Sequence, residues 1–199
     1  MSPRPRRVTD DDVLDAAEVV RDACGPLGFT LDEVGARVGV SAPALLRRFG
    51  SKRALLLAVK EREVRRVVER VAGAPPTSQR TSPLAALLAR FRDGVAVTAP
   101  TPDALANAFA FLHTDLADAE SRALIQARAA ALRAGLRALV AAAVDAGELG
   151  GAPPNDIADL VEATYNGALV GWVVERDGAA WDYVRPRLEA LLAPYRRDS

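Results

Sequence analysis

The sequence is poor in the residues that build disulfides, metal sites and active sites. Its 199 residues include one cysteine, Cys24, and one histidine, His113. A single cysteine excludes an intramolecular disulfide and any metal site made of several thiolates. No Gly-rich phosphate loop or cluster of metal ligands occurs at motif spacing, and a lone histidine beside two phenylalanines is more often packed than catalytic. We therefore expect no catalytic residue, no metal and no cofactor.

Long apolar runs are also absent, although apolar residues make up 50% of the chain. Asp, Glu or Arg interrupts every stretch that approaches the length of a membrane span. The basic segment Ser2–Arg7 is not followed by the apolar region of a signal peptide. The sequence therefore predicts a folded cytoplasmic protein with no membrane partner. The arginines of Ser2–Arg7 would form either a minor-groove arm or a disordered tail.

Acidic residues are missing from one segment. Residues 1–70 hold 14 basic and 11 acidic residues, a net charge of +3 in a chain whose formal net charge is zero. The segment from Val34 to Lys60 has no acidic residue but six basic ones, Arg37, Arg47, Arg48, Lys52, Arg53 and Lys60. A local basic block indicates a surface for a polyanion such as nucleic acid. Charge alone leaves open an ordinary solvated helix face.

Apolar residues recur at helical spacing along almost the whole chain, and no segment shows sustained strand alternation. We predict an all-α fold of about nine helices. The first would span about Thr9–Cys24, with an apolar stripe over Val13–Leu27, and Gly25-Pro26 would end it. The glycine- and proline-rich residues 73–78 would form a connecting loop, and the last helix would span about Tyr183–Arg196.

Residues 30–49 have the pattern of two short helices joined by a tight turn. Thr30 and Glu33 can form a reciprocal capping box at the start of the second helix, and Gly39 supplies a left-handed residue at its end. Ser41 can cap a third helix of about two turns. One face of that helix would pack on the core, while the other would stay outward, as entry into the major groove requires. The outward residues would be Ala42, Pro43, Leu46, Arg47 and Arg48.

Three runs of sequence around these helices resemble the TetR/AcrR family of repressors. They are GFTLDEV at 28–34, GVSAPAL at 39–45 and FGSKRALL at 49–56. The similarity is contiguous over about Thr9–Val59. The segments NGAL at 166–169 and EALLAPY at 189–195 also resemble members of the family, whereas the middle of the chain matches only in helix pattern. The resemblance implies a dimeric one-component regulator that binds operator DNA.

The resemblance also implies which residues meet DNA. Thr30 would cap the second helix beside a phosphate, Ser41–Ala44 would open the recognition helix near base edges, and Lys52 would grip a phosphate. This chain has Leu46 where the family usually has tyrosine, and Arg48 where it often has histidine. Leu46 could contact a thymine methyl, and Arg48 could replace a phosphate contact. The predicted DNA-binding residues are Thr30, Ser41, Ala42, Pro43, Ala44, Leu46, Arg47, Arg48 and Lys52.

Large apolar residues accumulate in the last two predicted helices. They could be ordinary core, but in the family that the sequence resembles these helices pair across a two-fold axis, which favours a homodimer interface. A dimer also suits a recognition helix of two turns, because paired half-sites are the usual way to bind tightly. The predicted interface residues are Leu169, Trp172, Leu188, Leu191, Leu192 and Tyr195.

We divide the chain into a three-helix helix-turn-helix domain at 1–52 and a helical bundle at 53–199. The bundle is longer than dimerisation alone requires, and its middle helices carry aromatic residues. Apolar walls with a few polar groups are typical of a small-molecule site, whereas a filled core would show the same pattern. The predicted pocket residues are Phe91, Phe109, Phe111, Leu112, His113, Leu132, Leu136, Tyr165 and Asn166.

These patterns together predict a TetR-like transcriptional repressor. It would bind a pseudo-palindromic operator in double-stranded DNA as a homodimer and leave it when a small hydrophobic effector binds. The alternative is an all-helical ligand-binding or enzymatic module without DNA binding, in which the basic segment is only a solvated face. Gel shifts with the upstream DNA separate the two. Among regulators, an activator and a ligand-independent nucleoid binder stay open.

Overall fold

The protein is all-helical, as the sequence predicts. The computed structural model describes residues 8–72 and 82–197, so the basic arm and the predicted loop at 73–78 lie outside the described residues. The described residues form nine α-helices and no strand. None of these helices is both long and apolar enough to cross a membrane. The helices are α1 (Asp10–Gly28), α2 (Leu31–Val38), α3 (Ala42–Phe49), α4 (Lys52–Ala72), α5 (Pro83–Thr98), α6 (Pro102–Ala117), α7 (Ala119–Asp145), α8 (Pro154–Glu175) and α9 (Ala180–Leu192).

The chain packs as two compact units. The N-terminal unit contains α1 to α3 and α4 up to Arg65, and it also includes Asn107–Ile125, from the second part of α6 and the start of α7. The C-terminal unit contains the rest of α4, α5, the start of α6 and the chain from Gln126 onward. The predicted boundary between residues 52 and 53 separates a DNA-binding function from a sensing function. These packing units do not test that boundary, so it stays a prediction.

The core of the N-terminal unit follows from the pattern of α1. Thr9 and Asp12 form a capping box, in which the Asp12 amide donates to Thr9 Oγ1 at 3.2 Å and the Thr9 amide donates to Asp12 Oδ2 at 2.8 Å. Val13, Ala17 and Val20 recur at helical spacing and are at most 1% exposed. They pack with Phe29, Val34, Leu45, Leu55, Val59 and Phe111. Each large apolar side chain buried there contributes about 1.5–3 kcal/mol, so this cluster stabilises the helix-turn-helix.

The regular part of α1 ends at Cys24, as the sequence predicts, although the helix as a whole continues across a kink to Gly28. Gly25 leaves the helical conformation at φ 64° and ψ −177°, and one more helical turn follows. Pro26 is tolerated because the first turn of a helix needs no amide donor. The positive φ favours glycine at this position, and a Cβ there would lie 2.6 Å from Asn107 Oδ1, so the Asn107 side chain would have to move. The kink turns Leu27 fully to solvent, and Leu27 is therefore not part of the predicted apolar stripe.

Helices α8 and α9 form a packed pair in the C-terminal unit. Trp172 of α8 and Leu188 of α9 are at most 2% exposed, and Trp172 Nε1 donates to the Gly178 carbonyl oxygen at 3.2 Å. Helix α9 begins at Ala180, earlier than predicted, and Pro186 lies in its interior. The helix is continuous through Pro186, and it has buried residues on both sides of the proline. It ends before the predicted boundary, where a short 3-10 turn follows.

Candidate nucleic-acid interface

The turn between α2 and α3 brings the two helices close together. Thr30 Oγ1 accepts from the Glu33 amide at 3.1 Å. This is one half of the predicted capping box, and the reverse bond, from the Thr30 amide to the Glu33 carboxylate, is not formed among the described residues. Helix α2 ends at Gly39 in the left-handed region, at φ 71°, as predicted. A Cβ on Gly35 would collide with the Val40 carbonyl oxygen, so only glycine allows the chain to turn so tightly.

Helix α3 turns one side to the core and the other to solvent. Leu45 is 1% exposed, whereas its neighbour Leu46 is 44% exposed. Ser41 occupies the N-cap position, but the prediction that its hydroxyl caps the helix is wrong, because amides of the first turn bond to the Ser41 carbonyl oxygen instead. Pro43 and Arg47 are exposed as well. The outward face thus combines a hydroxyl, apolar groups and a cation, which are the groups that contact phosphates and base edges.

Arg48, at the end of α3, is engaged within the protein. Its guanidinium forms an ion pair with Asp10 and donates at 3.1 Å to a backbone carbonyl of the residues before α1. A phosphate contact at Arg48 would have to break or share these bonds, so in this conformation Arg48 holds α3 against the start of α1. Arg47, in contrast, has no hydrogen bond or ion pair with the described residues. Ala42 and Ala44 are half-buried on the same helix.

Lys52 begins helix α4 and reaches back to the turn before α2. Its Nζ donates to the Phe29 carbonyl oxygen and lies 5.3 Å from the centroid of the Phe29 ring. Ser51 caps α4, because its Oγ accepts from the Ala54 amide at 3.0 Å. Lys52 therefore has a structural contact that the sequence did not indicate. It remains exposed beside a helix N-terminus, where the helix dipole favours anions.

Ion pairs that the sequence analysis did not identify join α1 to α4. Arg62, which is 3% exposed, contacts Asp15 at 2.9 Å and Glu18 at 2.6 Å. Arg21 contacts Glu63 at 2.6 Å. Asp15 and Glu18 are three residues apart on α1 and so share a face, which is a signal for a cationic partner. These pairs orient the helix-turn-helix relative to α4.

A second set of ion pairs joins α4 to the α6–α7 segment of the N-terminal unit. Lys60 contacts Asp115 at 3.1 Å, and Arg53 contacts Asp118 at 2.9 Å. The amide of Ser121 donates to Asp118 at 2.9 Å, and this bond together with Arg53 lowers the pKa of Asp118 to about 2. The same side chains border an open groove of about 390 Å³. In the ranges that the structure describes, no three His, Cys, Asp or Glu residues are grouped as metal ligands.

The helix-turn-helix is the part of the chain that matches a known family. Residues 13–59, from α1 into α4, match the bacterial regulatory proteins of the tetR family. The match covers about a quarter of the chain, so it assigns this segment, and not the whole chain, to the TetR family. The match includes the Thr30 cap, the Gly39 turn and helix α3, so the geometry described above is that of a TetR-family DNA-binding domain. No curated protein sequence is similar enough to count as a match.

Solved structures of transcription regulators share the fold over nearly the whole chain. SmeT, the repressor of the Stenotrophomonas maltophilia multidrug efflux pump SmeDEF, is 24% identical, and the superposition covers 97% of this chain and 93% of SmeT with a TM-score of 0.69. A TetR transcription regulator from Haloarcula marismortui is 15% identical over 94% of this chain and 98% of its own, with a TM-score of 0.77. FadR from Bacillus subtilis, solved in complex with stearoyl-CoA, is 16% identical over 93% of this chain and 98% of FadR, with a TM-score of 0.68.

The residues predicted to line a TetR-family effector pocket fall into both packing units. Phe91 and Tyr165 lie in the C-terminal unit with ring centroids 4.7 Å apart, and Leu136 is buried there. Phe111 instead packs edge-on against Phe29 at 6.3 Å, in the core of the N-terminal unit. Phe109 and Leu132 are half-buried, whereas exposed side chains belong to Leu112, His113 and Asn166. Exposure argues against these three as walls of an enclosed site, and the pocket stays a prediction for the C-terminal unit.

The residues predicted for a TetR-like dimer interface are mostly interior. Four of them are 0–7% exposed within one protomer, namely Leu169, Trp172, Leu188 and Leu192. They cannot offer area to a second copy, because α8 and α9 bury them against the protomer's own core. Leu191 and Tyr195 are half-buried. A different stripe of α8 faces solvent, composed of Leu160, Ala163, Gly167, Val170 and Val174.

Proposed function

We propose that the protein is a transcriptional repressor that binds a pseudo-palindromic operator as a homodimer and releases it when a small hydrophobic effector binds. The observation that carries this proposal is the outward face of α3. Ser41, Leu46 and Arg47 lie on it, within a segment, Val34–Lys60, that contains no acidic side chain to repel phosphates. A helix of two turns with Leu45 fixed in the core fits the major groove.

Arg47 and Lys52 have different roles in this proposal. Arg47 has no partner among the described residues, so its guanidinium can bond a base edge or a phosphate without a competing contact. Lys52 is held by the Phe29 carbonyl at the start of α4 and acts as a fixed phosphate anchor. Arg48, paired with Asp10, holds α3 against the start of α1.

Selection from a random duplex library, followed by fluorescence anisotropy, tests DNA recognition. We expect an inverted repeat to be enriched and its affinity to fall as salt rises. Arg47→Gln should cost about 1–3 kcal/mol of specific binding, whereas Lys52→Ala should weaken all sequences alike and lower the salt slope by about one. Arg92→Gln is the control, because Arg92 is an exposed arginine of α5 paired with Asp93. Failure to enrich any sequence, together with salt-insensitive binding, would contradict the proposal.

The dimer forms, in this proposal, through the solvent-facing stripe of α8. Its members follow each other at spacings of three and four residues, from Leu160 to Val174, so they lie along one side of the helix. Ala163 and Gly167 allow two copies of the helix to approach closely, while Val170 adds apolar area. A two-fold axis would pair the same stripe from both protomers and place two recognition helices on one operator.

The effector binds, in this proposal, in the C-terminal unit beside Phe91 and Tyr165. The likeness to FadR, which was solved with a bound acyl-CoA, supports a small-molecule site in this fold. Helix α4 is the connection to DNA, because it begins at Lys52 in the N-terminal unit and continues past Arg65 in the C-terminal unit. An effector that prefers the conformation unable to bind the operator shifts the population away from DNA. A coupling of about 1–3 kcal/mol is sufficient to loosen the operator.

A further inference from the structure

Two arginines of the C-terminal unit, Arg90 and Arg128, have no anionic partner among the residues that the structure describes. The Nε of Arg128, on α7, is buried and makes no hydrogen bond. Arg90, on α5, is half-buried and forms no hydrogen bond or ion pair with the described residues. Arg62 provides the contrast, because it also leaves its Nε without a partner but pairs through its terminal nitrogens with Asp15 and Glu18.

The surroundings of Arg90 disfavour its positive charge. Burial lowers the pKa of the Arg90 guanidinium, and the positive charge of Arg70 lowers it further. The sequence between α4 and α5, residues 73–81, contains no Asp or Glu and so supplies no carboxylate. A cation withdrawn from water without a counter-charge is costly. An anion bound beside Arg90 would supply this counter-charge.

Arg90 of α5 reaches α7, the helix that carries Arg128. A terminal nitrogen of Arg90 lies 3.2 Å from the position that a Cβ would take on Gly135 of α7. One turn further along α5, the corresponding position on Gly94 lies 3.8 Å from the hydroxyl of Tyr165. Burial raises the pKa of Tyr165, while a neighbouring hydroxyl and the charge of Arg128 oppose that rise. Arg128 is thus close enough to act on the Tyr165 hydroxyl, beside α5.

We propose that the effector is a small organic anion, a carboxylate or a phosphate monoester, whose head group is bound by Arg128 and Arg90. This inference rests on the proposed function, since it names the effector class of the same site. The planar guanidinium fork donates two parallel hydrogen bonds to either head group. The apolar part of the effector lies against Phe91 and Tyr165, whose ring centroids are 4.7 Å apart.

Isothermal titration of the full-length protein with matched probes tests the charge of the effector. Octanoate and octanamide share an apolar chain and differ in charge, 2-naphthoate and 2-naphthamide do the same with an aromatic body, and octyl phosphate tests the second head group. We expect an anionic probe to bind at least about tenfold more tightly than its amide. Tighter binding of octyl phosphate than of octanoate assigns the phosphate class, and the reverse order assigns the carboxylate class.

Substitutions then test the two arginines. Arg128→Gln and Arg90→Gln should each remove the preference for the anion, whereas the exposed Arg92→Gln should keep it. Equal binding of acids and amides, or no binding of any probe at millimolar concentration, would overturn the inference, as would a preference that survives both substitutions. If both variants are unfolded by circular dichroism, the wild-type comparison of acid with amide decides alone.

The titration contains no DNA, so it separates this inference from the proposed function. A protein that prefers anions but binds no operator contradicts the proposed repressor and leaves the anion site in place. A protein that binds its operator and prefers amides over acids contradicts the anion site only. Release of the operator when the anion binds, measured by fluorescence anisotropy of labelled DNA, would connect the anion site to the proposed repressor function.

Discussion

Lys60 of α4 and Asp115 of α6 form an ion pair of 3.1 Å in which the two side chains are only 10% and 16% exposed. Both residues belong to the N-terminal unit, on the helix that begins at the proposed phosphate anchor Lys52. Removing two charges from water is costly, and each charge is tolerated there because the other compensates it. The pair therefore fixes the α6 segment of this unit on α4.

Lys60→Met should destabilise the protein by about 3–5 kcal/mol, because it leaves the Asp115 carboxylate nearly buried without a counter-charge. The double variant Lys60→Met/Asp115→Leu should recover most of this loss, since an apolar pair has no charge to desolvate. Urea unfolding monitored by circular dichroism measures both. A double variant that is less stable than Lys60→Met would show that the lost charge balance is not the cause.

Gly35→Ala should destabilise the protein more than Gly39→Ala. A Cβ at Gly35 meets the Val40 carbonyl oxygen, and opening the turn to make room costs about 1–3 kcal/mol or more. Gly39 has open space around its Cβ position, so alanine there should destabilise the protein only through the positive φ, by about 1–2 kcal/mol. Thermal unfolding compares the two. The same Tm for both variants would mean that the turn relaxes freely.

Val170→Glu should convert the proposed dimer to a monomer, because it places a charge in the proposed stripe of α8, where Val170 is 51% exposed in the protomer. Trp172→Ala, only two residues further, should instead destabilise the protomer by about 3–5 kcal/mol, because Trp172 is 2% exposed. Sedimentation over a range of concentrations and urea unfolding distinguish the two effects. A dimer that survives both Val170→Glu and Gly167→Glu must use another surface.

The stability of the protein should depend on Asp118 at low pH. The Ser121 amide and Arg53 lower its pKa from 3.8 to about 2 in the folded protein. Because Asp118 has a lower pKa in the folded than in the unfolded protein, its charged form stabilises the folded state at pH values above the unfolded pKa. This stabilisation is lost as the pH falls through the folded pKa and Asp118 becomes protonated. Wild type should therefore lose stability between about pH 4 and pH 2 more steeply than Asp118→Asn.

Urea midpoints measured across that pH range test the dependence on Asp118. Arg53→Gln serves as a partial control, because it removes only the second-largest cause of the shift and should flatten the curve less than Asp118→Asn. Superimposable curves for wild type and Asp118→Asn would contradict the assignment.

Local interactions explain why much of the helix-turn-helix could be predicted. Thr30 caps α2 and Gly39 ends it because a cap and a left-handed residue depend on a few neighbours in the chain. Leu45 is buried and Leu46 exposed because the helical period determines which side of a short helix faces the core. The interruption at Gly25 could be predicted from Gly25-Pro26 itself, whereas the contact of Gly25 with Asn107 could not, because Asn107 lies far away in sequence.

Long-range packing decided the contacts between helices. Arg48 pairs with Asp10, and Phe111 packs on Phe29 rather than in a pocket with Phe91. Neither contact leaves a signal in sequence spacing, because its two partners are separated by dozens of residues. Periodicity identifies the apolar side of each helix, but it does not identify the helix that will cover that side.

Helix α8 shows where sequence information ends and tertiary structure decides. Its sequence determines that it is a long apolar helix, from Pro154 to Glu175. Apolar residues occur on more than one side of it, so the period of 3.6 residues does not tell which side is interior. Packing against α9 buries Trp172 and leaves Val170 in solvent. Burial of apolar area is non-directional, so only the position of the neighbouring helix determines which of two similar faces is removed from water.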